Sequence, residues 1–342
     1  MAEIKPNYDT KRKKLAEIIP LAAPFTVYIE QTKYCNFKCF YCIHSTRDEA
    51  DGEFRALGHR MQHIDEGFFE KIIHDLKAFP QGGIKRIVFS GLGEPLMNPR
   101  LPDYVRMAVE AGIAGRVEVI TNGLLLTPEK SKALVEAGIT NINISVQGLD
   151  AEGYQETCGV RIDFDHYLEN LKYLYEHKGN VQIYIKAIDA TLKTKENEKK
   201  FFRIFSPFAD RIYIEHLVVM QQQMDGLREI VDGTKNFYGE ELDVNRKVCA
   251  QSFYFMQIGC EGDIFPCPVP GLGRNLSMGN AKEHTLVEIW NGSRRRGFLR
   301  KMLKKEKDQI PDCATCTCFN AINNPMEQLD DDAERLLPLF ED

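Results

Sequence analysis

Apolar and polar positions follow two different periods along the first two-thirds of the chain. Short runs rich in β-branched residues, such as Thr26–Glu30 and Asn141–Val146, predict buried strands. Between these runs apolar residues recur every three or four positions, as in Asp65–Ala78, and predict amphipathic helices. The pattern therefore predicts strands and helices that follow one another in turn.

The predicted strands are Thr26–Glu30, Arg86–Ser90, Arg116–Thr121, Asn141–Val146, Val181–Ile188 and Arg211–Glu215. The predicted helices are Asp65–Ala78, Pro102–Ala111, Pro128–Ala137, Phe164–Glu176 and Glu196–Phe205. Such alternation predicts an α/β fold with a parallel sheet, and about six strand–helix units favour a partial (β/α)6 barrel. A flavodoxin-like open sheet is the alternative on periodicity alone. In either fold, ligands gather at the carboxyl ends of the strands.

Changes in composition divide the chain into five segments. We predict a charged leader over residues 1–21, the barrel over 22–216 and a polar linker over 217–246, which contains the run Gln221-Gln222-Gln223. A second domain rich in glycine, proline and cysteine follows over residues 247–325. The acidic tail, residues 326–342, is predicted to be a solvated helix.

Charge and hydropathy exclude several classes of partner. The chain has 44 basic and 50 acidic residues, a net charge of −6, so no overall basic field attracts nucleic acid or anionic lipid. It has no run of about 18 apolar residues and no signal-peptide pattern at its start, which predicts a cytoplasmic protein without a membrane span. In a reducing compartment, ten cysteines require an explanation other than structural disulfides.

Three of these cysteines, Cys35, Cys39 and Cys42, lie on one loop directly after the first predicted strand; we call them the first cysteine cluster. Three thiolates can bind three irons of a cubane iron–sulfur cluster. The fourth iron then lacks a protein ligand and can bind a small molecule through an amine and a carboxylate. The alternatives are buried thiols or a zinc site, for which His44 is a nearby fourth ligand.

The Cys-x3-Cys-x2-Cys loop, with Tyr41 before its last cysteine, resembles the radical S-adenosylmethionine (SAM) superfamily. The segment Ser90-Gly-Leu-Gly-Glu-Pro95 is similar to the superfamily's Gly-Gly-Glu segment, which binds the SAM amino group, although Leu92 replaces a glycine. Segments at the next two strand ends resemble those beside the SAM ribose and carboxylate, and one after the sixth strand resembles that beside adenine. The resemblance assigns cofactor binding to Tyr41, Gly91, Gly93, Glu94, Pro95, Thr121, Asn122, Ser145, Gln147 and Leu217.

The resemblance also implies a reaction. A [4Fe-4S] cluster held by the first cysteine cluster passes one electron to SAM, which yields methionine and a 5′-deoxyadenosyl radical. That radical abstracts a hydrogen atom from the substrate, while the protein orients the reactants and excludes water. We expect the electron to come from a flavodoxin- or ferredoxin-type protein.

The C-terminal cysteines resemble the start of a SPASM or "twitch" domain, an auxiliary iron–sulfur domain attached to radical SAM barrels. Residues 257–267 predict a hairpin that turns at Glu261-Gly-Asp263 and brings Cys267 back towards Cys249. With Cys313 and Cys316 these can complete an auxiliary [4Fe-4S] cluster, and a zinc ribbon is the alternative. Cys260 and Cys318 are then spare, or one of them replaces a ligand.

Three residues are candidates for direct roles in catalysis. Lys186 and Glu215 lie at predicted strand ends, where polar side chains can contact a polar substrate, and the Cys260 thiol can donate a hydrogen atom, as in radical epimerases. One-cluster relatives of this architecture imply a small carbohydrate-like substrate: an aminocyclitol, amino sugar or nucleotide sugar, undergoing oxidation or epimerisation. The alternatives are a maturase for ribosomally made peptides, which the short segment before the first strand disfavours, and an electron carrier without SAM turnover.

Overall fold

A single nine-stranded sheet organises the computed structural model, which describes residues 2–7, 12–219, 227, 229, 231–243, 245–314, 316–321 and 324–341. The strands are β1 (Glu3–Ile4), β2 (Thr26–Ile29), β3 (Arg86–Phe89), β4 (Arg116–Thr121), β5 (Asn141–Val146), β6 (Gln182–Ile188), β7 (Arg211–Glu215), β8 (Phe255–Ile258) and β9 (Ile264–Phe265). Among the described residues, no helix is both long enough and apolar enough to cross a membrane.

The helices alternate with strands β2 to β7 and then follow one another through the C-terminal region. They are α1 (Glu53–Ala56), α2 (Glu66–Lys77), α3 (Leu101–Glu110), α4 (Pro128–Glu136), α5 (Ala151–Cys158), α6 (Phe164–His177), α7 (Asp189–Leu192), α8 (Lys195–Phe205), α9 (Gln251–Tyr254), α10 (Leu286–Trp290), α11 (Ser293–Leu303), α12 (Pro311–Ala314), α13 (Cys318–Ala321) and α14 (Ala333–Leu336).

The sheet is open and almost entirely parallel. Its strand order is β1-β7-β6-β5-β4-β3-β2-β8-β9, so β1 and β9 form its two edges, and only the β8–β9 pair is antiparallel. The six consecutive strands β2 to β7 and their helices confirm the predicted partial (β/α)6 barrel. All six predicted strands are present, and their bounds differ from the prediction by no more than one residue at either end.

Alternation along the strands separates an apolar face from a polar one. In β6, Ile183, Ile185 and Ala187 are buried in the core beneath the helices, whereas Tyr184 and Lys186 point to the opposite face, inside the barrel. On this interior face Tyr184 is 5% exposed and the Lys186 side chain 25% exposed.

The helices on the outer face begin where the sequence provides caps. The Asp65 carboxylate accepts a hydrogen bond from the Phe68 amide (2.9 Å) at the start of α2, a contact that stabilises a helix by about 1 kcal/mol. Four residues into α2, Phe69 is fully buried and stacks on Tyr104 of α3, with ring centroids 4.0 Å apart. Caps and buried aromatic pairs of this kind fix the outer layer against the sheet.

Two strands join the sheet from outside the predicted barrel. β1 pairs with β7, and β8 runs parallel to β2 with Thr26 opposite Phe255. The predicted hairpin is present as β8 and β9, and Gly262 in its turn has φ +98°, where a Cβ atom would lie 2.5 Å from the Asn280 side chain. The auxiliary region thus continues the sheet of the barrel.

The acidic tail is not a solvated helix, so that prediction was wrong. Leu329, Ala333, Leu336 and Phe340 recur at helical spacing and are buried in the core, and Phe340 contacts the Phe253 ring. The neighbouring aspartates had suggested a solvated surface, but this apolar stripe makes the last residues fold back onto the auxiliary region.

The structure describes only part of the predicted linker, residues 217–246. The Gln221–Gln223 run lies outside the described residues. On its N-terminal side, Leu217, Val218 and Val219 are buried, and on the other side Asn236 is fully buried and bonded to Glu240. The described linker residues therefore include buried ones on both sides of this gap.

Candidate functional site

The loops that follow β2, β3, β4 and β5 meet at the carboxyl edge of the sheet. The loop after β2 carries the first cysteine cluster, and Phe37 within it is buried against the Tyr154 ring of α5. The amides of Lys38 and Phe40 donate hydrogen bonds to the carbonyls of Cys158 and Thr157 at the end of α5. Helix α5, which the sequence pattern did not predict, therefore supports this loop.

The three thiols of the first cluster lie close enough to influence one another. Burial raises the pKa of Cys42 to about 12, and the neighbouring Cys39 thiolate raises it as well. Burial also raises the pKa of Cys35, with Glu94, Cys42 and Cys39 acting in the same direction. Thiols bind iron as thiolates, so iron must displace protons here.

The zinc alternative with His44 as a ligand does not agree with the structure. The His44 Nδ1 atom lies 3.0 Å from the Arg47 guanidinium, which can only donate, and Nε2 lies 2.7 Å from the Lys33 carbonyl. Both ring nitrogens are therefore occupied by hydrogen bonds. Three thiols and an open fourth position fit a cubane iron–sulfur cluster better than a four-coordinate zinc ion.

The Ser90–Pro95 loop lies directly against the chain that leads to Cys35. The Glu94 amide donates to the Tyr34 carbonyl (2.8 Å), and a Cβ atom on Gly93 would lie 2.3 Å from the Thr32 carbonyl oxygen. Position 93 therefore requires glycine, because any larger residue would separate this loop from the cysteine loop. The Gln31 side chain donates to the Pro95 carbonyl and holds the loop from the other side.

The Glu94 side chain joins this loop to the end of β4. One of its oxygens accepts hydrogen bonds from the Leu96 amide (2.9 Å) and the Thr121 hydroxyl (2.6 Å), and the other accepts from the Asn122 amide (2.7 Å). Burial raises the pKa of this carboxyl group, while the three hydrogen bonds oppose that shift. The structure thus gives Glu94 an architectural role in addition to the predicted role near SAM.

Polar side chains continue across the edge towards β5. The Asn122 side-chain amide donates to the Asn36 Oδ1 atom (2.7 Å). The Tyr41 hydroxyl donates to the Gln147 Oε1 atom, and the Gln147 side-chain amide donates to the Ser145 backbone carbonyl. The Asn36 amide nitrogen is buried and has no partner within the described residues. Asn36 was not predicted, since only its place between Cys35 and Cys39 distinguishes it from other asparagines.

Leu217 lies after β7 and is fixed by Asp189, whose side chain is partly exposed. Its amide donates to Asp189 (3.0 Å), while the other Asp189 oxygen lies 2.6 Å from the His216 ring. The Leu217 side chain is 5% exposed. An apolar segment held by its backbone in this way fits the predicted contact with a flat adenine ring.

The C-terminal cysteines meet in a second place. Cys249, Cys267, Cys313 and Cys316 line one cavity together with Cys318. Burial raises the pKa of Cys249 to about 11, and the Cys316 sulfur contributes to the shift. The cavity is thus lined by the four predicted ligands and a fifth thiol, the side-chain type that binds iron–sulfur clusters, although among the described residues no three His, Cys, Asp or Glu side chains are arranged to hold a single metal ion.

Cys260 lies apart from this cavity. It is buried after β8, and its thiol donates to the Glu30 carbonyl (3.0 Å) at the end of β2. Of the two cysteines that the sequence left over, Cys318 is therefore the one that can replace a ligand. In the first cluster, the Sγ atoms of Cys39 and Cys158 are 3.7 Å apart, so Cys158 is a buried thiol beside a predicted ligand.

Lys186 and Glu215 form an ion pair on the polar interior face. The Lys186 ammonium lies 2.6 Å from one Glu215 oxygen, and the Tyr184 hydroxyl donates to the other (3.2 Å). Their side chains are 25% and 15% exposed. The pair is therefore partly desolvated and keeps some solvent exposure.

Comparisons with known proteins agree with this architecture. Residues 29–204 match the model of the radical SAM superfamily, and residues 249–317 match that of the SPASM iron–sulfur cluster-binding domain. The chain is similar to a tungsten-containing aldehyde ferredoxin oxidoreductase cofactor-modifying protein of Pyrococcus furiosus, with 25% identity, 86% of this chain and 88% of the relative covered.

Two further proteins are similar over most of their length. A PqqA peptide cyclase of Streptomyces rochei is 25% identical, with 87% of this chain and 85% of the relative covered. The crystal structure of BtrN with AdoMet (SAM) and 2-DOIA has the same fold, with a TM-score of 0.54, 18% identity, and 85% of this chain and 92% of BtrN covered. From the matched domains and the two groups of thiols, we conclude that this chain belongs to the radical SAM superfamily, uses SAM and a [4Fe-4S] cluster, and carries a C-terminal SPASM domain for auxiliary iron–sulfur binding.

Proposed function

We propose that this radical SAM enzyme removes a hydrogen atom from a small, polar, carbohydrate-like substrate, which is then oxidised or epimerised with the help of the auxiliary cluster. The observation that carries the proposal is the Lys186–Glu215 pair, a partly exposed ion pair on the interior face of the barrel. Aminocyclitols, amino sugars and nucleotide sugars present the hydroxyl, amine or phosphate groups that such a pair recognises.

The chain's own residues have separate tasks in this proposal. The first cysteine cluster binds the iron–sulfur cluster, and the Ser90–Pro95 loop and its neighbours bind SAM; together these cofactors supply the hydrogen-abstracting radical. The substrate is oriented by Lys186, Glu215 and Tyr184. Cys260 is the candidate hydrogen donor for an epimerisation, and a flavodoxin- or ferredoxin-type protein is the proposed electron source.

Substitutions in the pair are expected to impair product formation more than SAM cleavage. We expect Glu215→Gln and Lys186→Met each to lower the rate of product formation by about ten- to a hundredfold, the loss that follows removal of a charge-assisted hydrogen bond. The ratio of 5′-deoxyadenosine to product should rise, because a loosely held substrate leaves the radical without its target. Both quantities are measured together by liquid chromatography under anaerobic conditions.

Glu156→Gln is the matched control for Glu215→Gln. Glu156 also pairs with a lysine, Lys193, at 2.7 Å, but on the exposed surface of the barrel. This variant should keep the wild-type rate and ratio, since surface pairs contribute little. Equal effects of Glu156→Gln and Glu215→Gln would show that Lys186 and Glu215 are not part of the substrate site. An unchanged ratio of 5′-deoxyadenosine to product in Glu215→Gln would show the same.

Peptide maturation is the second candidate function. It is favoured by the similarity, over most of both chains, to a protein named PqqA peptide cyclase. The two candidates are separated by 5′-deoxyadenosine release from reduced, anaerobically reconstituted enzyme, with a pool of aminocyclitols and sugar nucleotides or with a pool of peptides. Stimulation by the first pool alone supports the small substrate, whereas stimulation by peptides alone supports a maturase and overturns our proposal.

A further inference from the structure

A buried carboxylate supports the backbone of the loop proposed to bind SAM. Glu30, the residue after β2, is 4% exposed, and its Oε2 atom accepts a hydrogen bond from the Leu92 amide (2.8 Å). The Glu30 side chain also fills the space beside Gly91, where a Cβ atom would lie 2.7 Å from the Glu30 Cβ and Cγ atoms. Glu30 thus fixes Gly91 and Leu92, the central residues of the Ser90–Pro95 loop.

The charge of Glu30 is balanced by a lysine that lies between two acids. The Lys33 ammonium is 3.6 Å from Glu30 Oε1 and only 2.8 and 2.7 Å from the two oxygens of Glu261. The Lys33 side chain is 5% exposed, and its ammonium also donates to the His59 ring (3.2 Å). Lys33 is therefore held by fixed partners rather than by water.

Glu261 belongs to the auxiliary region. It lies in the turn between β8 and β9, directly after Cys260, whose thiol donates to the Glu30 carbonyl. The same hairpin pairs with β2 through β8. A continuous series of contacts therefore runs from the auxiliary hairpin through Glu261, Lys33 and Glu30 to the Leu92 amide.

We infer that Glu261 is a positioning residue for SAM, which acts through Lys33 and Glu30 on the Ser90–Pro95 loop, so that the auxiliary region supports the SAM site without touching SAM. The inference rests on the proposed role of this loop in SAM binding. Without Glu261, Lys33 is free to move towards Glu30, and Glu30 then loses the geometry in which it holds the Leu92 amide. A displacement of this backbone by a fraction of an ångström is enough to weaken a bound ligand.

Glu261→Gln tests the inference. We expect the Kd of SAM, measured by anaerobic calorimetry on the enzyme with both clusters, to rise by about three- to tenfold. The change that SAM causes in the electron paramagnetic resonance spectrum of the reduced first cluster should require correspondingly more SAM. The iron content should stay at the wild-type value, because Glu261 is not proposed as a ligand.

The control variant is Asp263→Asn on the same hairpin. Asp263 pairs with Arg274 at 3.2 Å, and its side chain is 14% exposed against 19% for Glu261, so the same charge is removed from a similar environment. It should bind SAM as the wild type does. Lys33→Met should weaken binding, and Lys33→Met/Glu261→Gln should be no weaker than the worse single variant, as expected for one connected path.

Two results would overturn the inference: an unchanged Kd in Glu261→Gln, or an equal rise in Asp263→Asn, which would indicate a general loosening of the hairpin. Failure of the wild-type enzyme with both clusters to bind SAM would instead refute the proposed role of the Ser90–Pro95 loop, and this inference with it.

Discussion

Replacement of Cys35, Cys39 and Cys42 by alanine is expected to abolish SAM cleavage while one iron–sulfur cluster remains. The first cysteine cluster lies on one loop after β2, whereas the auxiliary cysteines line a separate cavity formed by the C-terminal region. Each group should therefore assemble its cluster independently. We expect iron to fall from about eight atoms to about four per chain, as each cubane cluster contains four.

The measurements are iron content, the electron paramagnetic resonance spectrum of the reduced protein, and 5′-deoxyadenosine release. In the triple variant, 5′-deoxyadenosine should fall to background, since the cluster that reduces SAM supplies the chemistry. Loss of all iron would refute two independent clusters. Retention of about eight irons would mean that the loop after β2 is not a cluster site.

Cys158→Ser is the matched control for this experiment. Cys158 is fully buried, and its Sγ atom lies 3.7 Å from that of Cys39, but it belongs to α5 and not to the cysteine loop. The variant should retain both clusters and SAM cleavage. Loss of the first cluster in Cys158→Ser would show that this thiol takes part in binding iron.

The barrel was predictable because each of its strands is encoded locally. Runs such as Asn141–Val146 carry their own apolar period, and consecutive strands joined by helices become parallel neighbours almost by necessity. Helix α5 was missed for the same reason: its buried residues include Thr157 and Cys158, and Gly153 weakens its helical pattern. Local patterns thus predict the architecture as far as the patterns themselves are strong.

Contacts between distant segments could not be read from these patterns. No periodic signal connects Thr26 with Phe255 or Lys33 with Glu261, although these contacts join the auxiliary region to the barrel. The motif identified Glu94 as a candidate for binding SAM, but only the fold reveals its hydrogen bond to Thr121. Motifs predict which residues belong to the site, whereas the contacts between those residues depend on tertiary packing.

The auxiliary cysteines show the same limit. Spacing alone separated Cys313 and Cys316 from Cys318, whereas the structure places all three beside Cys249 and Cys267 in one cavity. Cys318 is 3% exposed, and burial raises its pKa well above the usual range. Proximity therefore makes Cys318 a competitor for one of the four ligand positions, and only a comparison of variants decides between them.

Cys267→Ala is expected to leave the first cluster and SAM cleavage intact but to block product formation. Cys267 lies two residues after the end of β9, so it is the predicted ligand that the β8–β9 hairpin brings to the auxiliary cavity. Its loss leaves an incomplete ligand set, and a cluster that lacks a thiolate is expected to lose iron or to change its potential. Without that cluster, the proposed path for the substrate electron is absent.

Cys318→Ala is the comparison variant that shows which of the two cysteines is the ligand. If Cys267 is the ligand, Cys267→Ala should lose about four irons and the product, whereas Cys318→Ala should keep about eight irons and wild-type product yield. The opposite result would assign the ligand position to Cys318. Normal product from Cys267→Ala despite the lost iron would show that the auxiliary cluster is dispensable. The substrate radical left by hydrogen abstraction would then be converted to product without that cluster, which favours the thiol of Cys260 as its hydrogen donor.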